Sequence, residues 1–69
     1  MRAPAVADFY RDVILQLRQS GFEFKRYGRG DHEIWWNPES RVSVTVDRKL
    51  RSKVTANEIL KEAGLPKAF

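Results

Sequence analysis

Residues 41–46 read Arg-Val-Ser-Val-Thr-Val, and this stretch decides the fold class. Its valines fall on alternate positions, Val42, Val44 and Val46, with polar residues between them. Because successive side chains of a β-strand point to opposite faces, the pattern predicts a strand with one buried and one solvated face. Such strands are typical of antiparallel sheets that are covered on one side only.

Two more strand candidates come earlier in the chain. Residues 22–27 (Phe-Glu-Phe-Lys-Arg-Tyr) alternate between aromatic and charged side chains, and residues 32–36 (His-Glu-Ile-Trp-Trp) form a second run. Turn-forming residues separate the runs, since glycines stand at positions 28 and 30 and residues 37–40 read Asn-Pro-Glu-Ser. The order predicts a meander of three antiparallel strands.

One helix is predicted before this meander in the chain and another after it. Residues 6–20 carry apolar side chains at three- and four-residue steps, which is typical of an amphipathic helix, and Gly21 is expected to end it. After the strands, Thr55-Ala-Asn-Glu58 has the spacing of a capping box and predicts that a second helix begins at Thr55. Gly64 is expected to end that helix.

Length and composition limit the possible classes of protein. The 69 residues predict one α+β domain, residues 1–69, with the order α-β-β-β-α and two helices on one face of a three-stranded antiparallel sheet. The chain has no cysteine and one histidine, so neither a disulfide, a metal site nor a cofactor is expected. No apolar run approaches the roughly 20 residues of a membrane helix, and we expect a cytoplasmic soluble domain.

Positive charge is concentrated in the middle of the chain. Eight basic and four acidic residues lie from Lys25 to Lys53, which accounts for the whole net charge of +4. Within this segment, residues 47–54 hold four basic residues and predict a mobile basic loop. Concentrated positive charge attracts polyanions, so one interpretation of the basic segment is a nucleic-acid-binding surface. The simpler interpretation is a solvated basic surface without a ligand.

His32 is the only histidine, and it follows the glycine-flanked turn. Histidine is the side chain whose ordinary pKa suits general acid–base chemistry at neutral pH, but a lone histidine is more often structural than catalytic. Strand alternation places His32 on the same face as Ile34 and Trp36, and we expect this face to contact the core. We expect His32 itself to lie just beyond the area that the helices cover. Asp31 either orients His32 or is an exposed turn residue, and we favour the turn. Of the adjacent tryptophans, one is expected to face the helices.

The ordered set of segments resembles the HicA-type toxins of bacterial toxin–antitoxin pairs. The matching segments are Gly21-Phe22, Gly30-Asp31-His32, Val42–Val46 and Thr55–Gly64. The resemblance covers nearly the whole chain and implies a fold like a double-stranded-RNA-binding domain. The chain departs from the family pattern at Asp31, where a serine is usual, and at Asp47-Arg48, where proline and histidine are often found.

The resemblance implies a type II toxin that cleaves mRNA independently of the ribosome, as a metal-independent endoribonuclease, and that is bound by a cognate HicB-type antitoxin. The functional histidine of the family corresponds to His32, which we interpret as the catalytic residue. The residues expected to contact RNA are Lys25, Arg26, Arg29, Gly30, Arg48, Lys49, Arg51 and Lys53. The alternative is a non-catalytic module that binds RNA or that only binds the antitoxin.

Overall fold

The computed structural model describes residues 9–69 and shows five elements in the predicted order. They are α1 (Tyr10–Gln19), β1 (Glu23–Tyr27), β2 (His32–Asn37), β3 (Val42–Asp47) and α2 (Lys53–Glu62). The α-β-β-β-α prediction is therefore confirmed, and the expected start of the first helix at Val6 lies outside the described residues. No helix within residues 9–69 has the length and apolar character needed to cross a membrane.

The three strands form one antiparallel sheet in the order β1-β2-β3. Pairing between β1 and β2 is irregular, because the register passes from Phe24 opposite Trp35 to Arg26 opposite Ile34. Lys25 is therefore the extra residue of a β-bulge. As a result, Arg26 lies with Ile34 on the face of the sheet that the helices leave open.

The two faces of β2 are opposite to the prediction. Glu33, Trp35 and Asn37 are 6%, 3% and 8% exposed and face the helices, whereas His32, Ile34 and Trp36 lie on the open face. The register with β3 explains this outcome, because Trp35 pairs with Val44 on the covered face. The expectation that His32 shares a face with the core is wrong.

The two buried polar residues of β2 are satisfied by hydrogen bonds. Glu33 Oε1 accepts a bond of 2.7 Å from the Tyr10 hydroxyl and one of 3.0 Å from Trp35 Nε1. Asn37 Nδ2 donates to the carbonyl of Ser20 at 3.0 Å and so ties β2 to the end of α1. Because buried polar groups are tolerated when they are paired, these contacts allow a charged and an amide side chain to occupy the covered face.

The core lies between the sheet and the two helices. Its fully buried side chains, Leu17, Leu60, Val13 and Val46, come from α1, α2 and β3. The remaining buried apolar residues are Phe22, Trp35, Val44, Leu50, Ala56 and Ile59. The alternating valines of β3 thus contact the core as predicted.

The helix ends follow the predictions only in part. Gly21 adopts a φ of +94° just after α1, as its expected role at the helix end requires. In contrast, α2 begins at Lys53 and is capped by Ser52, whose hydroxyl accepts a hydrogen bond of 3.3 Å from the backbone N–H of Thr55. The predicted capping box at Thr55 is therefore wrong, because the serine three residues earlier already satisfies that N–H.

The predicted basic loop is shorter than residues 47–54 and is anchored at two points. Leu50 is 3% exposed, and its carbonyl accepts a hydrogen bond of 2.9 Å from the N–H of Phe9. The N–H of Arg48 donates to the carbonyl of Asp31 at 3.0 Å. These contacts hold the segment against α1 and against the β1–β2 turn.

Candidate functional site around His32

His32 is held at the junction of the β1–β2 turn and the open face of the sheet. Its N–H donates to the carbonyl of Arg29 at 3.1 Å, and its own carbonyl accepts from the N–H of Gly28 at 2.8 Å. A Cβ at position 28 would lie 3.4 Å from the Cβ of His32 and 3.5 Å from Cδ1 of Ile34, both ordinary van der Waals distances, so Gly28 packs directly against the base of the His32 side chain. The His32 side chain is 48% exposed. A group that is fixed through its backbone and open to solvent can meet an external ligand.

The carboxylate that faces His32 comes from β3. Asp47 is the register partner of His32, and its Oδ2 lies 3.9 Å from His32 Nε2. The other oxygen, Oδ1, accepts a hydrogen bond of 2.8 Å from the N–H of Lys49, which fixes the carboxylate. This pair depends on the β2–β3 register, which no pattern in the sequence indicates.

Asp31 does not face the imidazole. It lies in the β1–β2 turn, as we favoured, and its carboxylate pairs with Arg48 at 3.1 Å and with Lys49 at 3.4 Å. The hydrogen bond and the charge of Lys49, followed by those of Arg48, hold the pKa of Asp31 below its ordinary value. Two of the cations expected to contact RNA are thus engaged by a neighbouring carboxylate.

Three of the expected cations lie on β1 or in the turn that joins β1 to His32, namely Lys25, Arg26 and Arg29. Arg29 is bonded to His32 through the backbone, and Arg26 lies on the same open face. The Nζ atom of Lys25 stands 4.7 Å from the centroid of the Trp36 ring, so Lys25 also covers part of the open face. Trp36 is accordingly the outward tryptophan of the adjacent pair.

The other expected residues are placed differently. Gly30 adopts a φ of +61°, which the turn itself requires, and a Cβ there would meet no heavy atom within 4 Å. Arg51 and Lys53 are exposed at the start of α2. Gly30 stands next to Arg29 in the β1–β2 turn, whereas Arg51 and Lys53 lie apart from the cations of β1 and of this turn.

A groove of about 700 Å³ runs from His32 along the space between β3 and α2. The residues that line it are His32, Thr45, Asp47, Val54, Thr55, Glu58, Ile59 and Glu62. Three of them are carboxylates, so the α2 side of His32 is acidic while the β1 side is basic. The carboxylates of the groove would repel an anionic ligand, and the cations of β1 would attract it. In the described part of the chain, no three His, Cys, Asp or Glu side chains converge closely enough to hold a metal ion.

These features define an α+β protein of the double-stranded-RNA-binding-domain type, with an exposed histidine beside a basic rim. The family model described as the HicA toxin of bacterial toxin–antitoxin systems matches residues 10–65, and the chain belongs to this family. It is therefore a toxin of a toxin–antitoxin system, and an antitoxin is its partner. Comparison with curated proteins and with solved structures gave no match.

Proposed function

We propose that this toxin is a ribosome-independent mRNA interferase, a metal-independent endoribonuclease that acts through His32. The observation that supports the proposal is the position of the imidazole. The only histidine of the chain is solvent-exposed, fixed by two backbone hydrogen bonds, and flanked by cations on one side. The cytoplasm, where mRNA is found, is the compartment in which we expect it to act.

The reaction is an attack by the ribose 2′-hydroxyl on the adjacent phosphorus. The hydroxyl loses its proton, the P–O5′ bond breaks, and the departing 5′-oxygen gains a proton, which leaves a 2′,3′-cyclic phosphate and a 5′-hydroxyl. His32 accepts the first proton or donates the second. Water supplies the other proton transfer, since one imidazole serves only one of the two steps at a time.

Asp47 acts as a positioning residue in this scheme. With Oδ1 bound to the backbone of Lys49, its Oδ2 stabilises the imidazolium that forms when His32 accepts a proton. Asp31, the other carboxylate next to His32 in the sequence, is engaged by Arg48 and Lys49 and does not serve this role.

Lys25, Arg26 and Arg29 are proposed to hold the phosphates beside the scissile bond and to stabilise the charge that develops on the transferring phosphoryl group. Arg48 and Lys49 contribute less while they remain paired with Asp31. Arg51 and Lys53 are proposed to contact phosphates farther along the RNA. A HicB-type antitoxin is proposed to inhibit the enzyme by covering the open face around His32.

The test is cleavage of a long unstructured RNA in the presence of EDTA, with RNA binding followed in parallel. Wild type should cleave and leave 2′,3′-cyclic phosphate ends, and His32→Ala should bind RNA without cleaving it. Gln16→Ala, an exposed change on α1, is the matched control and should cleave as wild type does. A substrate with 2′-deoxy sugars should bind and remain intact.

Three results would contradict the proposal. Cleavage by His32→Ala would remove the histidine from the mechanism, and 5′-phosphate products would exclude attack by the 2′-hydroxyl. Binding of RNA by wild type without any cleavage would leave the non-catalytic module as the function.

A further inference from the structure

A second surface carries exposed aromatic rings that the site around His32 does not use. Phe24 and Tyr27 lie on the helix side of β1, opposite Trp35 and Glu33 in the register. Every residue of β1 is nevertheless exposed, because the strand extends past the area that the helices cover. Phe24 is 42% and Tyr27 65% exposed. We call the surface formed by Phe24, Tyr27 and the adjoining Arg18 and Arg48 the aromatic edge.

The rings of the aromatic edge alternate with guanidinium groups. Phe24 meets Tyr27 edge-to-face with the ring centroids 4.9 Å apart, and it meets Trp35 at 5.8 Å. Arg18 stands 5.2 Å from the centroid of Trp35, and Arg48 stands 5.9 Å from that of Tyr27. Most of the Tyr27 side chain still faces solvent, so a flat ligand has access to its ring.

The charge of this surface favours an anionic ligand. Glu33, on the same face, is buried and accepts two hydrogen bonds, and Asp31 pairs with Arg48. The exposed Glu23 next to Phe24 is paired in the register with Trp36, so it lies on the opposite face of the sheet. Arg26 adds a further cation, because its Nη1 lies 3.5 Å from the carbonyl oxygen of Tyr27. A ligand that is flat and apolar in one part and anionic in another matches both properties, and a nucleotide has this chemistry.

The aromatic edge and His32 are separated by a single turn. Tyr27 directly precedes Gly28, whose N–H donates to the carbonyl of His32. Arg29 lies within this turn, between the two surfaces. A single strand that passes His32 on the open face would reach Tyr27 by continuing around the end of the hairpin, past Arg29.

We propose that the aromatic edge binds an unpaired base of the RNA substrate, stacked on Tyr27, with the neighbouring phosphate held by Arg26. The inference rests on the proposed function, since it concerns the substrate of that site. It specifies single-stranded rather than duplex RNA, because a base held within a helix cannot offer its face to a side chain. RNA is favoured over a protein partner because the rings are surrounded by arginines.

The test compares the affinities of the protein for two short RNA oligonucleotides, one with all its bases and one with abasic positions. All sugars of both are 2′-O-methylated, which removes the nucleophile and prevents cleavage. Loss of one base–aromatic stack should weaken binding by about 5- to 100-fold. Tyr27→Ala should show this loss for the base-bearing oligonucleotide and less than about a 2-fold change for the abasic one. Tyr27→Phe should bind as wild type does. Leu15→Ala, which removes a side chain that is 52% exposed on α1, is the control and should also bind as wild type does.

The outcomes separate this inference from the proposed function. Cleavage of unmodified RNA by His32→Ala would contradict the nuclease mechanism and leave the stacking result intact, because stacking is measured on methylated RNA that cannot be cleaved. Equal affinity of wild type and Tyr27→Ala for the base-bearing oligonucleotide would overturn the inference. A loss of affinity for the purified antitoxin without a loss for RNA would also overturn it and assign the aromatic edge to the partner protein. If Tyr27→Ala does not fold, equal binding of base-bearing and abasic oligonucleotides by wild type would overturn it as well.

Discussion

Replacing Tyr10 by phenylalanine should lower the free energy of unfolding by about 1.5–3 kcal/mol, the range for a hydrogen bond to a charged group. The Tyr10 hydroxyl donates to Glu33 Oε1 at 2.7 Å, and Glu33 is only 6% exposed. Phenylalanine keeps the ring, so the packing of the core changes little. Glu33 keeps the bond from Trp35 Nε1 and loses the shorter one.

The loss can be measured by urea unfolding followed through tryptophan fluorescence, to which the buried Trp35 contributes. In a domain of this size, 1 kcal/mol lowers Tm by about 4–8 °C, so the thermal transition should fall by at least about 6 °C. Tyr27→Phe is the matched control, because that side chain is 65% exposed, and it should change stability by less than about 0.5 kcal/mol. Equal stabilities of the two variants would refute the assignment of a partly buried, charge-assisted bond.

The same bond makes stability depend on pH at the alkaline end. Burial, together with the hydrogen bond to Glu33 and its charge, raises the pKa of Tyr10 to about 12, above its ordinary value of 10.0. Between these values the unfolded chain releases the phenolic proton while the folded chain keeps it, so the folded state loses stability as the pH rises from about 10 to about 12. Tyr10→Phe should show a shallower decline than wild type when unfolding is followed by circular dichroism. Parallel declines would show that the phenol is not protected.

Two further predictions concern α2 and the turn beside His32. Ser52→Ala should lower the free energy of unfolding by about 0.5–2 kcal/mol, because it removes the helix cap, whereas Thr55→Ala should have little effect. Thermal melts of the two variants measure the difference. If Thr55→Ala were the less stable variant, the capping box at Thr55 would be correct after all. Asp31→Asn should release Arg48 and Lys49 and strengthen RNA binding, with the slope of log K against log salt steeper by up to about 0.7 for each released cation. An unchanged slope would mean that the two cations do not reach phosphate.

Those elements of the fold were predictable whose sequence pattern has a single physical cause. Alternation in β3 arises from a covered and an open face, and Gly21 stands where a φ of +94° is needed. The faces of β2 were not predictable, because Glu33 and Asn37 occupy covered positions. Only the contacts that each makes with α1 and the turns explain why polar residues are buried there.

The candidate site was predictable by residue type but not by geometry. His32 was identified as the only histidine, whereas its partner Asp47 depends on the β2–β3 register, which places residues 15 positions apart in the chain side by side. The aromatic edge was missed for a related reason. The bulge at Lys25 brings Tyr27 to the same face as Phe24, and the helices leave both rings exposed. Neither feature can be inferred from the alternation of residues 22–27.

The bulge in β1 also affects how the protein behaves in a crowded cell. A strand at the rim of a sheet offers unpaired N–H and C=O groups to any other chain, and long flat rims promote aggregation. β1 has only five residues, is interrupted at Lys25, and carries a second cation at Arg26. These features disfavour the addition of a foreign strand at this rim. The irregular β1 strand is therefore a poor template for edge-to-edge aggregation on this side of the sheet.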